Sequence, residues 1–475
     1  MFKHDYGVLK YSIYITVYII LSASVYFIAK KKYDASIRTK TGSDSASRIN
    51  GKIYSSYQKL FLILIFCAYA IILPASVIHG LHGDEINHIW LIDSITNDFD
   101  LNLSNNVPKD KYYLVAHYFF KSENELFTSV MPGMAALAAP FYLIAGVTGF
   151  RFMIVLITCS LAFIAYKLSV EYSGSEKNSF LFSLIFFLLN PFVVYSSQIY
   201  PETAAALCAM LSIFFLKKHK PFAAGLSISF LLWFHIKYYV IVVLLVFIVH
   251  LLLIKTTFKL KQFLLFAIPV MFSLIFFEVY CYSVFNSFNP FAAYVQGSDA
   301  GYKNFSELFS NVILNNNFFE QLKINFFDLQ FGLFVNSPFY IFGFISVFYC
   351  LINNFKKYWQ LAILFFGYCF YICINNQGYN GYSPLNRLLI PCLPVLIISS
   401  SGMFADLQSR FFNKPFFKSL ALFLKILFFV SFIISSVYVT VPVSRYPDYS
   451  QKNSIYALFE KILYRGFRIQ LNPVK

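Results

Sequence analysis

Two adjacent carboxylates, Asp84 and Glu85, lie directly after an apolar segment that is long enough to cross a bilayer. A carboxylate can accept a proton from a hydroxyl group, bind the hydroxyls of a sugar, or help to hold a divalent ion. An ionisable pair at a membrane edge costs desolvation free energy unless it is used or compensated. The pair is therefore predicted to begin an active site that faces water at the membrane surface.

The composition predicts the element that positions these carboxylates. The chain of 475 residues is 58% hydrophobic, 20% aromatic and 13% charged, with a mean hydropathy of +0.63. Apolar runs of roughly 17 to 25 residues recur, and in lipid a helix satisfies its own backbone hydrogen bonds. These features predict an all-α, polytopic transmembrane protein. They disfavour an outer-membrane barrel, whose strands need short alternating segments.

Positive charge is concentrated in short clusters between the apolar runs. The formal net charge is +16, but the basic residues do not form one folded face, as they would in a nucleic-acid-binding protein. The positive-inside bias predicts that all of these clusters are cytoplasmic. They lie at residues 30–59, 217–220, 255–261, 356–357 and 410–418.

Placing the clusters inside leaves about twelve spans and puts both termini outside. The predicted spans lie near residues 8–29, 60–80, 151–170, 178–196, 203–216, 221–235, 238–254, 263–285, 332–350, 358–375, 388–403 and 419–440. Residues 131–149 are interrupted by Pro140 and Gly146, so a re-entrant or interfacial helix is preferred there. The domain prediction is a catalytic domain at 1–440, with exterior loops at 81–131 and 286–330, and an exterior tail at 441–475.

The predicted exterior segments contain nearly all of the unusual polar residues. The chemistry is therefore expected outside the cytoplasm, where ATP and nucleotide sugars are absent. An enzyme with this layout needs an energised substrate that is delivered through the membrane. A sugar linked to a lipid phosphate meets that need.

Five motifs, in the same order along roughly residues 80–395, resemble those of the GT-C glycosyltransferase superfamily. They lie at 83–89 (continuing into 98–103), 129–134, 200–202, 331–338 and 378–394. The first is similar to the acidic Gly-Asp-Glu-Pro-His-Tyr stretch in the first large exterior loop of bacterial members, with Ile86 in place of the proline. The resemblance implies a GT-C-like fold and an inverting transfer of sugar from a polyprenyl-phosphate carrier to an acceptor.

The resemblance assigns the base that takes the acceptor's hydroxyl proton to Asp84. Glu85 is then predicted to bind sugar hydroxyls or to help hold a metal ion. The competing interpretation is that one of the two caps the next helix, because aspartate is a preferred N-cap and acids suit a first helical turn. No cofactor is predicted. A divalent ion is kept as an alternative because His79, His82 and His88 lie near the carboxylates in sequence.

The leaving group in such a transfer is a lipid phosphate, whose growing negative charge calls for fixed cationic donors. Arg387 begins a predicted span at the exterior face, and its planar fork suits bidentate contact with phosphate oxygens. Lys237, with His235 beside it, is predicted to share the phosphate. For Arg387 and Lys237 the alternative is an interfacial role in which the side chain reaches lipid headgroups.

Other exterior side chains are predicted to contact the substrate. Tyr200 is predicted to bind the substrate, and Glu202, two residues later, is expected to hydrogen-bond the sugar or to orient Lys237. Complementing a helix dipole explains Glu202 almost as well. Four tyrosines are further candidates for sugar contact, namely Tyr112, Tyr113, Tyr379 and Tyr382.

The resemblance predicts a bacterial inner-membrane glycosyltransferase that acts on the periplasmic side. Its partners are a polyprenyl-phosphate sugar donor, a glycan or lipid acceptor and membrane lipids, without nucleic acid. O-antigen glucosylation of lipopolysaccharide is the leading reaction, and transfer to lipid A or to a protein is the second. The alternative class is a lipid-linked glycan flippase, although transporters usually place charges near the midplane between repeated halves, and this sequence shows no internal repeat.

Overall fold

Helices make up most of the described chain. The computed structural model describes residues 46–78, 81, 83–115, 118–255, 259–288, 292, 318–328, 331–375 and 387–440. The helices of the first half are α1 (Ala46–Ile78), α2 (Glu85–Asp93), α3 (Gly133–Ser173), α4 (Glu176–Phe187), α5 (Phe192–Tyr195), α6 (Glu202–Lys217), α7 (Pro221–Ser229) and α8 (Leu231–Phe234). Those of the second half are α9 (Tyr239–Ile254), α10 (Leu260–Phe285), α11 (Phe318–Phe327), α12 (Leu333–Asn336), α13 (Phe339–Asn375), α14 (Pro394–Phe411) and α15 (Pro415–Thr440).

Six of the described helices are long and apolar enough to cross a membrane. They lie in α1, α3, α9, α10, α13 and α15, and α7 with α8 forms a shorter apolar helix. The chain is thus a multi-pass, all-α membrane protein, as its composition predicts. The predicted first span at 8–29, most of the loop at 286–330 and the tail at 441–475 lie outside the described residues.

Helix α3 is sharply bent. Its 41 residues would reach about 60 Å if straight, twice the thickness of a bilayer core. The helical geometry breaks at Ala145 and Gly146, and Gly146 has a φ of 57°, which favours glycine. Beyond the break, a Cβ added to Gly149 would lie 1.9 Å from the carbonyl oxygen of Phe141. The chain therefore turns sharply between two helical arms, within the stretch 131–149 that is predicted to be re-entrant or interfacial.

The segment between α2 and α3 is ordered by its own polar side chains. It contains a π-helical turn (Ser94–Asp98), a 3-10 turn (Lys109–Leu114) and an antiparallel hairpin of β1 (Phe119–Ser122) and β2 (Glu125–Phe127). The side-chain oxygen of Asn102 accepts hydrogen bonds from the amides of Ser104 and Leu126 at 3.1 and 2.9 Å. The carboxylate of Asp100 accepts one from Ser94 Oγ at 2.7 Å. The second half of the acidic motif therefore shapes the loop.

Helices α3, α4, α13 and α14 pack together through closely fitted apolar side chains. Phe186 of α4 lies edge-on against Tyr340 of α13, with ring centres 4.9 Å apart. A Cβ added to Gly343 would lie 3.0 Å from Leu396 of α14 and 3.1 Å from the Phe186 ring, so glycine permits this approach. Within lipid, close packing of this kind holds helices together. These contacts fix the positions of the helix ends that carry polar residues.

The polar residues predicted to act together and the lysine clusters lie at opposite ends of two helices. Glu202 begins α6 and Lys217 ends it, about 22 Å apart along the axis of this 16-residue helix. Lys237 lies just before α9, and Lys255 follows its last residue. Lys255 Nζ is 4.5 Å from the ring centre of Trp359 in α13, which places this part of α13 at the lysine end.

Candidate active site

A polar cavity of about 160 Å³ lies where the beginnings of α2 and α6 meet two 3-10 turns, Ile236–Tyr238 and Arg387–Leu389. Its lining residues are Asp84, His88, Ser129, Val130, Pro201, Glu202, Phe234, His235, Lys237 and Arg387. Five residues that the sequence predicts to act together are thus in one cavity: Asp84, Glu202, His235, Lys237 and Arg387. They come from four separate segments of the chain.

Arg387 forms one wall of the cavity. Its Nη2 donates a hydrogen bond to Asp84 Oδ2 at 2.7 Å, and its Nε lies 3.7 Å from Glu202 Oε1. The guanidinium carbon is 4.1 Å from the centre of the Tyr200 ring, within the range of a cation–π contact. Because only 8% of the side chain is exposed, Arg387 does not reach the lipid-facing surface. Tyr200, which is predicted to bind substrate, is not among the residues that line the cavity, and it instead supports the arginine through its ring.

Glu202 joins the two cations. Its Oε1 accepts a hydrogen bond from Lys237 Nζ at 2.7 Å, while the same oxygen faces Arg387. Nδ1 of His235 accepts a hydrogen bond from the Lys237 amide at 3.1 Å and so shapes the turn that carries the lysine. Glu202 is 1% exposed, and its Oε2 has no hydrogen-bond partner among the described residues. A buried polar atom of this kind calls for a partner such as a bound water or a polar ligand.

Asp84 lies at the edge of the cavity, with 43% of its side chain exposed. Burial acts to raise the pKa of its carboxyl group, but the charge and hydrogen bond of Arg387 outweigh burial and hold this pKa below its ordinary value. The carboxylate is therefore ionised at neutral pH. An ionised carboxylate that reaches solvent is suited to accept a proton from an incoming hydroxyl group.

Glu85 is turned away from this cavity. Its Oε2 lies 3.5 Å from Nη2 of Arg151, and its Oε1 accepts a hydrogen bond from the Ile199 amide at 2.8 Å. Both side chains of the ion pair are almost fully buried, and Arg151 also donates to the Ser76 carbonyl. Successive helix residues point about 100° apart, so the neighbouring carboxylate faces elsewhere when Asp84 faces the cavity. The structure does not bring Glu85 to the predicted catalytic position.

His88 lines the cavity one turn after Asp84. Residues four apart share a helix face, so the two side chains point the same way. His88 is 3% exposed, and its Nδ1 has no hydrogen-bond partner among the described residues. Burial lowers the pKa of the imidazole to about 4, so it is neutral at physiological pH. The sequence suggests this histidine as a metal ligand or as part of an interfacial belt, although its i, i+4 spacing from Asp84 already indicates that the two side chains share a helix face.

The remaining predicted contacts fall outside the cavity or outside the described residues. Tyr112 donates a hydrogen bond to the Ser104 carbonyl at 3.2 Å, within the loop. His79, His82, Tyr379 and Tyr382, together with the side chain of Tyr113, lie outside the described residues. Where the structure describes the chain, no group of three or more His, Cys, Asp or Glu side chains is placed to hold a metal ion.

An apolar groove of about 1020 Å³ adjoins the polar cavity. It is formed by α3, α6, α7, α8 and α10, and its walls include Pro132, Ala136, Leu207, Leu226, Phe234, Phe272 and Phe276. Phe234 lines both spaces, and Val130 of the cavity precedes Pro132 of the groove by two residues. A charged cavity thus meets a long apolar surface at a common wall.

Comparison with known proteins identifies the class of fold. No family model and no curated protein matches the sequence. A crystal structure of ArnT from Cupriavidus metallidurans bound to undecaprenyl phosphate has a TM-score of 0.54 and 10% identity, covering 82% of this chain and 76% of that one. The same protein in the apo state has a TM-score of 0.51 and 12% identity, covering 80% and 75%. ArnT is a GT-C glycosyltransferase. The GT-C fold that the sequence motifs predict is therefore confirmed.

Proposed function

We propose that this protein is an inverting glycosyltransferase that moves a sugar from a polyprenyl-phosphate carrier to a glycan or lipid acceptor. The observation that carries the proposal is the meeting of a largely buried cation pair, a partly exposed carboxylate and an apolar groove around one cavity. Each part matches one part of the donor and its reaction. The GT-C fold and the undecaprenyl phosphate bound by ArnT support the class of donor.

Arg387 and Lys237 are proposed to bind the phosphate of the donor. Charge builds on the phosphate as the bond to the sugar breaks, and fixed cations in a site of low dielectric stabilise that charge. Glu202 holds the two cations in place through Oε1. The arginine fork can exchange its contact with Asp84 for phosphate oxygens, which would free the carboxylate for the acceptor.

Asp84 is proposed to be the general base. It takes the proton of the acceptor hydroxyl, the acceptor oxygen attacks the anomeric carbon, and the bond from that carbon to the phosphate oxygen breaks. The electron pair leaves with the polyprenyl phosphate, and the anomeric configuration inverts. Neutral His88, on the same helix face, is proposed to hydrogen-bond a sugar or acceptor hydroxyl through Nδ1. Glu85 is proposed to anchor the start of α2 through Arg151.

The groove is proposed to hold the first isoprene units of the carrier. Its walls are almost entirely apolar, and it begins at Phe234, beside the cations. A lipid whose phosphate binds Arg387 could therefore lay its tail between α7 and α10. For the cell, the proposal is a bacterial inner membrane with the cavity facing the periplasm and an O-antigen acceptor, on the strength of the sequence motifs and the lysines at the opposite helix ends.

The proposal is tested by reconstituting the purified protein with a radiolabelled polyprenyl-phosphate sugar and with membranes from cells that lack the gene. We expect label to enter a new product while free polyprenyl phosphate accumulates in equal amount. A flippase would instead move labelled donor across the bilayer without forming a glycosidic bond. Movement without bond formation, for every donor sugar tried, would overturn the assignment.

A further inference from the structure

A second polar pocket lies at the lysine end of the helices, opposite the active-site cavity. It has a volume of about 450 Å³, and its polar walls are Lys217, His219, Lys356, Lys357 and Gln360. The lysines come from the end of α6 and from the bend in the middle of α13. Among the described residues, no acidic side chain lines the pocket.

The lysines of this pocket are only partly neutralised. Burial, together with the charges of Lys357 and Lys218, lowers the pKa of Lys217 and outweighs the charge of Glu171, which stabilises the protonated lysine. Lys217 Nζ lies 3.9 Å from the ring centre of Tyr172, and the Tyr172 carbonyl accepts a hydrogen bond from Tyr358 at 3.0 Å. The nearby Glu171 pairs with a different lysine, Lys218, at 3.4 Å. Within the described part of the chain, Lys217, Lys356 and Lys357 form no ion pair. Three like charges around one pocket repel each other, and an anion would relieve that repulsion.

The elements that carry the lysines also expose large apolar side chains. Ile352 and Phe355 of α13 are 81% and 59% exposed, and Ile254 at the end of α9 is 63% exposed. In a membrane protein such side chains face lipid. An anion that enters the pocket from this side would therefore carry apolar chains, as a phospholipid does.

We infer that this pocket binds the headgroup of an anionic glycerophospholipid from the leaflet opposite the active site. The phosphate would contact Lys217, Lys356 and Lys357, and the acyl chains would lie along the exposed residues of α9 and α13. Basic pockets between helix ends bind anionic headgroups in this way. The site is separate from the proposed donor site, because the two lie at opposite ends of α6.

The inference is tested by titrating the full-length protein in mixed micelles with phosphatidylglycerol or phosphatidylcholine and counting bound lipid by native mass spectrometry. Lys356→Gln combined with Lys357→Gln should weaken phosphatidylglycerol binding roughly 10- to 30-fold, because each lysine contributes about 1 kcal/mol near an anionic headgroup. Both lysines are exposed, so the fold should tolerate the change. The matched control is Lys414→Gln with Lys418→Gln, which removes the same charge from exposed positions elsewhere and should change binding less than about twofold.

Three further measurements distinguish a lipid headgroup site from a general anion site and from the active-site cavity. Phosphatidylcholine, which carries no net charge, should not bind preferentially at this pocket. Inorganic phosphate at millimolar concentration should not compete with phosphatidylglycerol for it. Arg387→Gln should leave phosphatidylglycerol binding unchanged, whether or not the proposed transfer reaction is correct. Equal losses in the pocket variant and the control variant, no preference over phosphatidylcholine, or full competition by inorganic phosphate would each overturn the inference.

Discussion

Arg387 and Asp84 are 303 positions apart in sequence, yet Arg387 Nη2 donates to Asp84 Oδ2 at 2.7 Å. This contact closes one side of the cavity. It also keeps the carboxylate ionised, since the positive charge lowers the pKa of Asp84 despite burial. In the proposed reaction the pair separates, with the cation on the donor phosphate and the carboxylate on the acceptor hydroxyl.

Replacing Arg387 by glutamine should weaken binding of undecaprenyl phosphate by roughly 10- to 100-fold, because a charge-assisted hydrogen bond contributes about 1.5 to 3 kcal/mol. Arg387→Lys should not restore affinity, since lysine lacks the planar fork. The affinity is measured by titrating the lipid into detergent-solubilised protein. Arg410→Gln, which removes an exposed cation from α14, is the matched control. Wild-type affinity in Arg387→Gln would rule out the phosphate role.

Narrowing the apolar groove should weaken the binding of a long polyprenyl phosphate more than that of a short one. Ala136 is exposed on the groove wall, and Ala136→Phe should exclude part of the tail. Loss of about 50 Å² of buried tail surface corresponds to a roughly tenfold loss of affinity. The effect is expected for a long polyprenyl phosphate and not for a two-isoprene analogue. Leu143→Phe, at a 69% exposed position outside the groove, serves as control. Equal effects on both chain lengths would place the tail elsewhere.

Glu85→Gln should destabilise the protein more than it slows the chemical step. The change leaves the buried charge of Arg151 without its carboxylate, and breaking a buried ion pair costs about 3 to 5 kcal/mol. Thermal unfolding in detergent should therefore show a lower midpoint. The double variant Glu85→Gln with Arg151→Met should recover part of the loss, because both charges are then gone. A stable Glu85→Gln protein that has lost turnover would show instead that Glu85 takes part in the reaction.

The stability of the protein should fall as the pH decreases from about 6.5 towards 4. Burial lowers the pKa of His88 to about 4, whereas an unfolded histidine titrates near about 6.5. In this window the unfolded chain binds a proton that the folded chain does not, so the free energy of unfolding decreases. The Asp84 carboxyl, whose pKa is below its ordinary value, should contribute only at lower pH.

His88→Gln should flatten this part of the stability curve, and His219→Gln, at an exposed position, should not. Unfolding midpoints measured across the pH range give the comparison. An unchanged slope in His88→Gln would mean that other groups cause the loss of stability.

The sequence predicts most of the helices and much of the site, because both depend on strong local signals. Hydropathy predicts the apolar helices, and polar residues at the predicted exterior helix ends point to Asp84, Glu202, Lys237 and Arg387, which the structure brings to one cavity. The sequence does not predict features that depend on the rotation of a helix about its own axis or on tertiary contacts. Which of two adjacent carboxylates faces the cavity is decided by the rotation of α2, which Arg151 helps to set from another helix.

Two features of α3 can be predicted from the sequence to different degrees. The single arginine within its apolar run, Arg151, signals a buried partner, because a charge inside a membrane needs compensation. The turn at Gly146 depends on the close approach of Gly149 to Phe141. The hydrophobic periodicity of the sequence does not indicate such a contact. Pro140 and Gly146 therefore predict an interrupted helix over residues 131–149, whereas the direction of the turn follows only from the tertiary structure.

The most direct test compares Asp84→Asn with the wild-type protein in both sugar transfer and carrier binding. Removing a general base is expected to lower the transfer rate about 10²- to 10⁴-fold. Affinity for undecaprenyl phosphate should be retained or increased, since Arg387 loses a competing partner. Asp110→Asn, at an exposed position in the loop, should behave as wild type in both assays. Transfer by Asp84→Asn within twofold of the wild-type rate would contradict the assignment of Asp84 as the general base.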